Sequence, residues 1–292
     1  MAEQGTNTKE LLKKVRRIEL KTKGLSNQIF SGEYHSAFKG RGMAFSEVRE
    51  YLPGDEIRTI DWNVTARFNQ PYVKIFEEER ELTVVLLVDV SASDSFGTNE
   101  QLKKDLITEI CAVLSFSAIQ NNDKIGVIFF SDKVEKFIPP KKGKPHILRI
   151  IRELLEFKPE SRLTDISVAL SYLNSVIKKR SITFVLSDFI DNNFSDALKI
   201  ANRKHDVVAL RIFDKMEEEL PNVGLVQFED SESGQVKWVN TSSKKIRANY
   251  KSEALKRKEE LRTLFKRAGV DFAQLATGEP YIQPLIKLFK KR

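Results

Sequence analysis

The chain has one cysteine, three histidines and, across 292 residues, no uninterrupted apolar run near the ~18 residues that a membrane-spanning helix needs. Each scarcity excludes a class of protein. A lone Cys111 cannot build a disulfide framework, which predicts a reducing compartment, and within a helical pattern it reads as a small buried apolar residue. His35, His146 and His205 fall in separate predicted elements, so a histidine metal centre or a shared proton relay has no support, and structural or surface roles are expected. Met1 to Glu19 is polar and charged, without the apolar core of a signal peptide, and the expectation is a soluble cytoplasmic protein. There is no Gly-x-Ser-x-Gly elbow, and Gly143-Lys144-Pro145 lacks the glycine spacing and the hydroxyl of a phosphate-binding loop. The chain therefore reads as non-enzymatic. It also has no internal repeat, low-complexity tract or Pro-rich linker.

Charge of one sign is scarce too. Lys and Arg number 49 against 41 Asp and Glu, a net +8 that mildly favours acidic partners. The basic pairs Lys13-Lys14, Arg16-Arg17, Lys141-Lys142 and Lys244-Lys245, and the terminal Lys290-Lys291-Arg292, are separated and interrupted by acids. Solvated helix faces explain most of them, and nucleic-acid binding through a basic surface stands as the alternative. The two separate cheaply, because phosphate binding weakens steeply with salt and ignores a chelator.

What is abundant is alternation of strand and helix. Leu82 to Val88 is a β-rich apolar run without polar alternation, as expected of a parallel strand covered on both faces. Further strands are expected at Lys124 to Phe130, Ile182 to Leu186, Asp206 to Phe213 and Val270 to Leu275, with Val134 to Ile138 forming a hairpin with the second. Helical periodicity marks Leu102 to Leu114, Pro145 to Phe157, Asp165 to Lys179, Asn192 to Arg203 and Asn249 to Arg267. Leu225 to Phe228 and Val236 to Val239 flank Ser233-Gly234 as a hairpin. The fold expected is an α/β, mainly parallel sheet flanked by helices. The predicted domains are an amphipathic helix within residues 1–23 (Thr8 to Thr22), a β-rich subdomain over 24–81, and the α/β domain over 82–292 with an inserted hairpin near 223–240. Trp62 and Trp238 are expected to be buried in their own β elements.

Asp89-Val90-Ser91-Ala92-Ser93 leaves the first of these strands at its carboxyl end, where open sheets bind ligands. One carboxylate and two neutral hydroxyls suit a hard cation such as Mg²⁺ or Mn²⁺ without exhausting its charge. Alone, the pattern is a weak signal and is better explained by turn and helix capping. Thr164, before a predicted helix, and Asp188, after strand Ile182 to Leu186, reach the same edge, so Asp89, Ser91, Ser93, Thr164 and Asp188 can converge from three loops. The two aspartates around a metal also permit a phosphoryl hydrolase reading, which lacks a separate general base and phosphate clamp.

In this order of residues the chain resembles the von Willebrand factor type A fold with its metal-ion-dependent adhesion site. That resemblance implies that Ser91, Ser93 and Thr164 ligate Mg²⁺ directly or through water, that Asp89 and Asp188 act partly through water, and that a partner carboxylate completes the coordination. Upstream, Tyr34 to Gly42, Glu47-Val48-Arg49-Glu50-Tyr51, Pro53-Gly54-Asp55 and Arg58-Thr59-Ile60-Asp61-Trp62 resemble the family catalogued as domain of unknown function 58, with Tyr72 to Leu82 continuing the match. Members place this segment before a type A domain and often accompany MoxR-type AAA+ ATPases, which implies an adaptor or chaperone-cofactor role. Many carry membrane segments near the N-terminus; this sequence shows none there. Arg41, Arg49, Arg58 and Asp61 are candidates for a recognition surface, weighed against local ion pairs and turns.

Overall fold

The computed structural model describes residues 15–19, 22, 44–77, 81–91, 103–191, 193–229 and 235–292, of which 44–47, 75–77 and 229 are described in backbone only. Two compact units divide the chain, one of Lys39–Leu82 and the other of Met1–Phe38 with Thr83–Arg292.

The smaller unit pairs β1 (Ala44–Glu50) antiparallel with β2 (Tyr72–Glu77). Between them runs a short helix, α1 (Trp62–Phe68), which the expectation of a β-rich subdomain did not include. Asp61 starts it by accepting from the amides of Asn63 (3.0 Å) and Val64 (3.3 Å), and Asn69 ends it in the left-handed region at φ 53°. Trp62, at the first turn of this helix, is 66% exposed, contrary to the burial expected of it.

In the larger unit the chain runs β3 (Thr83–Asp89), α2 (Lys103–Gln120), β4 (Lys124–Phe130), β5 (Val134–Lys141), α3 (Lys144–Glu156), α4 (Ile166–Val176), β6 (Ile182–Ser187), α5 (Ser195–Lys204), β7 (Asp206–Phe213), β8 (Leu225–Glu229), β9 (Val236–Asn240), α6 (Lys244–Ala268), β10 (Asp271–Ala276) and α7 (Ile282–Lys290). Six strands form one sheet in the order β10-β7-β6-β3-β4-β5, parallel throughout except for the antiparallel edge strand β5. This is the α/β, mainly parallel architecture expected. Strands β3, β4, β6 and β7 are buried along nearly their whole length, so their apolar runs do not alternate. Val85, Leu87, Ile128, Phe130, Val185 and Ala209 face α4, α5 and Phe265 of α6. On the opposite face Phe184 meets Phe289 of α7 edge-on, and Phe129 stacks on Phe157 at the end of α3.

Several boundaries differ from the sequence reading. Helix α6 begins at Lys244, five residues early, because Ser243 caps the amide of Ile246. The terminal helix α7 went unpredicted, while of the expected N-terminal helix residues 15–19 and Thr22 are helical, with Val15 buried, and residues 8–14 and 20–21 lie outside the described residues. The hairpin β8–β9 forms as expected, yet Trp238 is 64% exposed on it, so its predicted burial is overturned: a two-stranded ribbon has no second layer to cover that face. Cys111 is buried, as expected.

Pro139 and Pro140 lie in the edge strand, where a missing amide costs no ladder bond. Gly126 of β4 faces them, and a Cβ there would sit 2.9 Å from the Ile138 carbonyl oxygen and from the Pro140 ring. Gly126→Ala is therefore expected to lower unfolding free energy by about 2–3 kcal/mol through overpacking, read by denaturant titration. A change within error would mean that β5 yields freely.

Candidate metal centre

From β3 the chain moves to β4 and β5 on one side, then crosses to β6, β7 and β10 on the other. The carboxyl ends of β3 and β6 therefore flank a topological switch point, where the crevice of an open α/β sheet lies. Asp89 ends β3 and Ser187 ends β6, and parallel pairing of Val88 with Leu186 sets them side by side.

Asp89 is fully buried. Its Oδ2 accepts from Ser187 Oγ at 2.6 Å and its Oδ1 from the Ser91 amide at 3.0 Å. Burial, and then the nearby charge of Asp188, push its carboxyl up to about 7, against which the bonds from Ser187 and Ser91 are too weak. Two carboxylates are thus brought together in a dry crevice, and the donors on Asp89 are neutral. Ser91 is buried beside them. Thr164 is half-buried at the same edge, immediately before Asp165, whose amide donates to Ser131 O at the end of β4. Asp165 itself caps α4 through Ser167 and Val168. Ser93 lies outside the described residues.

Asp188 is held from both sides. Its Oδ1 accepts from the Ile190 amide at 3.1 Å, and its Oδ2 accepts from Lys103 Nζ at 3.2 Å. Between them Phe189 adopts φ +58°, a left-handed conformation that costs a bulky residue of order 1–3 kcal/mol. Its amide donates to Ser187 Oγ, and its ring packs edge-on against Phe265. Backbone strain is thereby held next to a candidate ligand by core packing.

Sequence reasoning missed Lys103 and Glu217. Lys103, at the start of α2, is 1% exposed, and its ammonium bridges Asp188 and Glu217. Glu217 comes from a 3-10 turn, Lys215–Glu217, that Asp214 caps by accepting from the Met216 amide; Thr277 in turn donates to Asp214 Oδ2. Burial raises the Glu217 carboxyl, and Lys103 opposes that shift. A lysine at a helix start reads as solvated in any sequence, so only tertiary placement identifies this one.

The donor set fits a hard divalent cation, with two carboxylates and the hydroxyl of Ser91 at one dry sheet edge. Among the described residues no three His, Cys, Asp or Glu side chains form a group that could hold a metal ion.

The proposed recognition surface belongs to the smaller unit. Arg49 donates to both oxygens of Asp55, at 2.8 and 2.7 Å, which lowers the Asp55 carboxyl and braces the Pro53-Gly54 turn. Asp61 caps α1 and sits 3.5 Å from Lys74. Arg58 is exposed, and Arg41 lies outside the described residues.

The sequence model of the family described as "Protein of unknown function DUF58" matches residues 47–260. An uncharacterized protein of Mycobacterium tuberculosis is 27% identical over 281 residues, covering 95% of this chain and 88% of its own. Among solved structures, BatB from Bacteroides thetaiotaomicron aligns at TM-score 0.48 and 13% identity over 72% of this chain and 98% of its own. The VWA domain of SpRpn10 aligns at TM-score 0.37 and 10% identity, over 73% of this chain and 96% of its own. Among the described residues no helix is long and apolar enough to cross a membrane.

Proposed function

We propose that this chain, which belongs to the DUF58 family, is a non-enzymatic, Mg²⁺-dependent protein-interaction module that captures an acidic side chain of its partner. The observation that carries this reading is the buried Asp89 carboxylate, which faces Asp188 and, among the described residues, is held by the neutral donors Ser187 and Ser91. Such a carboxylate gains most from a cation. Asp89, Ser91, Ser93, Thr164 and Asp188 would hold the metal, and bound Mg²⁺ supplies a hard centre that an outside carboxylate can join.

The chain's own residues prepare that position. Ser187 fixes the orientation of the Asp89 carboxylate, and the Ser91 amide folds the loop back over it. Phe189 and the Ile190 amide aim Asp188 along the same edge. Lys103 neutralises part of the charge of Asp188 and Glu217, so the acidic crevice does not repel an incoming carboxylate. The family resemblance names the partner class, a MoxR-type AAA+ ATPase or its client, which this module would serve as an adaptor.

Capture from native lysate tests the reading, with Mg²⁺ or chelator and with wild type or a folded Asp89→Ala variant. The expected result is an ATPase retained only by wild type in Mg²⁺. Equal capture by Asp89→Ala would reject the mechanism, and nucleic acid recovered in every sample would favour the basic-surface alternative.

A further inference from the structure

Beside Asp188, a cavity of about 450 Å³ opens at the ends of β6 and β7 and is walled by α6. We infer that it is an anion pocket for a second carboxylate of the same partner, so that the recognised element is a pair of acidic side chains. For the first carboxylate this rests on the metal reading above; the pocket itself does not.

The charges of the lining decide what fits. Asp188 and Glu217 share the ammonium of Lys103. Asp191 accepts from the amides of Ile166 at 2.9 Å and Asn193 at 3.0 Å, the first of these at the start of α4, where a carboxylate is at home. Glu260, at the exposed rim, lies 3.9 Å from Lys256. The acids of the cavity are therefore engaged.

Its cations have capacity left. Arg211 is 9% exposed, donates from Nη1 to Glu218 at 2.7 Å, and lies 4.6 Å over the Phe213 ring. Its Nε is buried with no hydrogen-bond partner among the described residues, a standing cost that an acceptor oxygen would relieve. Arg257 projects from α6 into the same cavity, is exposed, and acts electrostatically on the Tyr250 hydroxyl. Two guanidinium groups match the planar fork of a carboxylate. Ala254, Leu261 and Leu264 line the α6 wall and reduce the water that would screen the contact. A second acid on the partner would enter here while its neighbour occupies the metal position.

The test uses the full chain and peptides of the form acetyl-Glu-(Gly)n-Glu-amide with spacers of increasing length, each matched to a version ending in Gln. In Mg²⁺, calorimetry is expected to show at least one diacid binding about tenfold more tightly than its match. Arg257→Gln should erase that advantage, and Lys266→Gln, which removes an exposed cation of the same helix outside the cavity, should leave it. An advantage that survives Arg257→Gln, or no advantage at any spacing, overturns the proposal. A second arm works in chelator: glutarate should shift the Arg211 and Arg257 Nε–H resonances in wild type and leave the Arg211 resonance unmoved in Arg257→Gln. Unmoved resonances reject the pocket whatever the metal does. Glutarate shifts together with peptide binding indifferent to Mg²⁺ would leave the pocket standing and sink the metal reading instead.

Discussion

Metal-free Asp89→Asn protein is expected to unfold at a higher temperature than wild type at pH 8 and to show no response to Mg²⁺. The sign follows from protonation. Asp89 ionises at 3.8 when exposed and at about 7 in the folded chain, so the native state holds a proton that the unfolded state has released. Wild-type stability therefore falls as pH rises from about 4 to about 7, by up to roughly 4 kcal/mol at 1.36 kcal/mol per pH unit. Asparagine carries no charge and escapes that loss, although it weakens the bonds from Ser187 and the Ser91 amide, at about 1 kcal/mol each. A net gain of about 1–3 kcal/mol remains at pH 8 and shrinks as pH falls toward 4. Thermal melts across pH check it; a gap that does not change with pH would mean that Asp89 is solvated in the native state. In wild type, Mg²⁺ should raise the melting temperature by mass action. Its affinity should fall below pH 7 as protons compete for the carboxylate. The residue that destabilises the metal-free fold is then the one on which capture depends.

The architecture was legible because buried parallel strands have a direct signature. Leu82 to Val88 and Ile182 to Leu186 are continuous apolar runs, and the residues after them had to fall at one edge of the sheet. Asp89, Ser91 and Asp188 could therefore be grouped from sequence. Lys103 and Glu217 could not: one is a lysine opening a helix, the other an acid within Lys215-Met216-Glu217-Glu218-Glu219, and both patterns ordinarily mark solvated surface. Their meeting depends on the packing of α2 against the turn after β7, a contact across more than a hundred residues that no local periodicity encodes. The two tryptophans misled for the opposite reason. Hydrophobicity states a preference for burial, but α1 and the β8–β9 ribbon leave Trp62 and Trp238 without a covering layer.

Lys103→Met should destabilise the metal-free protein by about 3–5 kcal/mol, the usual result of removing one partner from a buried ion cluster. Methionine keeps the apolar stem and much of the volume, so the loss reports the charge. Without the ammonium, Asp188 and Glu217 remain at the dry edge that also holds Asp89. All three then repel one another at the lower effective dielectric of the interior. In the folded variant Asp89 and Glu217, both already raised by burial, should retain their protons to higher pH than in wild type. Its deficit is therefore largest in alkaline buffer and closes as pH falls, because protonation removes the repulsion. Two rescues follow from the same electrostatics. Glu217→Gln in the Lys103→Met background should recover part of the deficit, giving a coupling energy in the double-mutant cycle. Mg²⁺ should recover another part, because a divalent cation among the carboxylates replaces the charge that the lysine supplied. Denaturant titrations at two pH values, with Mg²⁺ and with chelator, separate the terms. A deficit below about 1 kcal/mol, the scale of an exposed ion pair, would place Lys103 in solvent. A deficit of full size that neither pH, Glu217→Gln nor Mg²⁺ diminishes would assign the residue to packing and deny it any electrostatic part in the site.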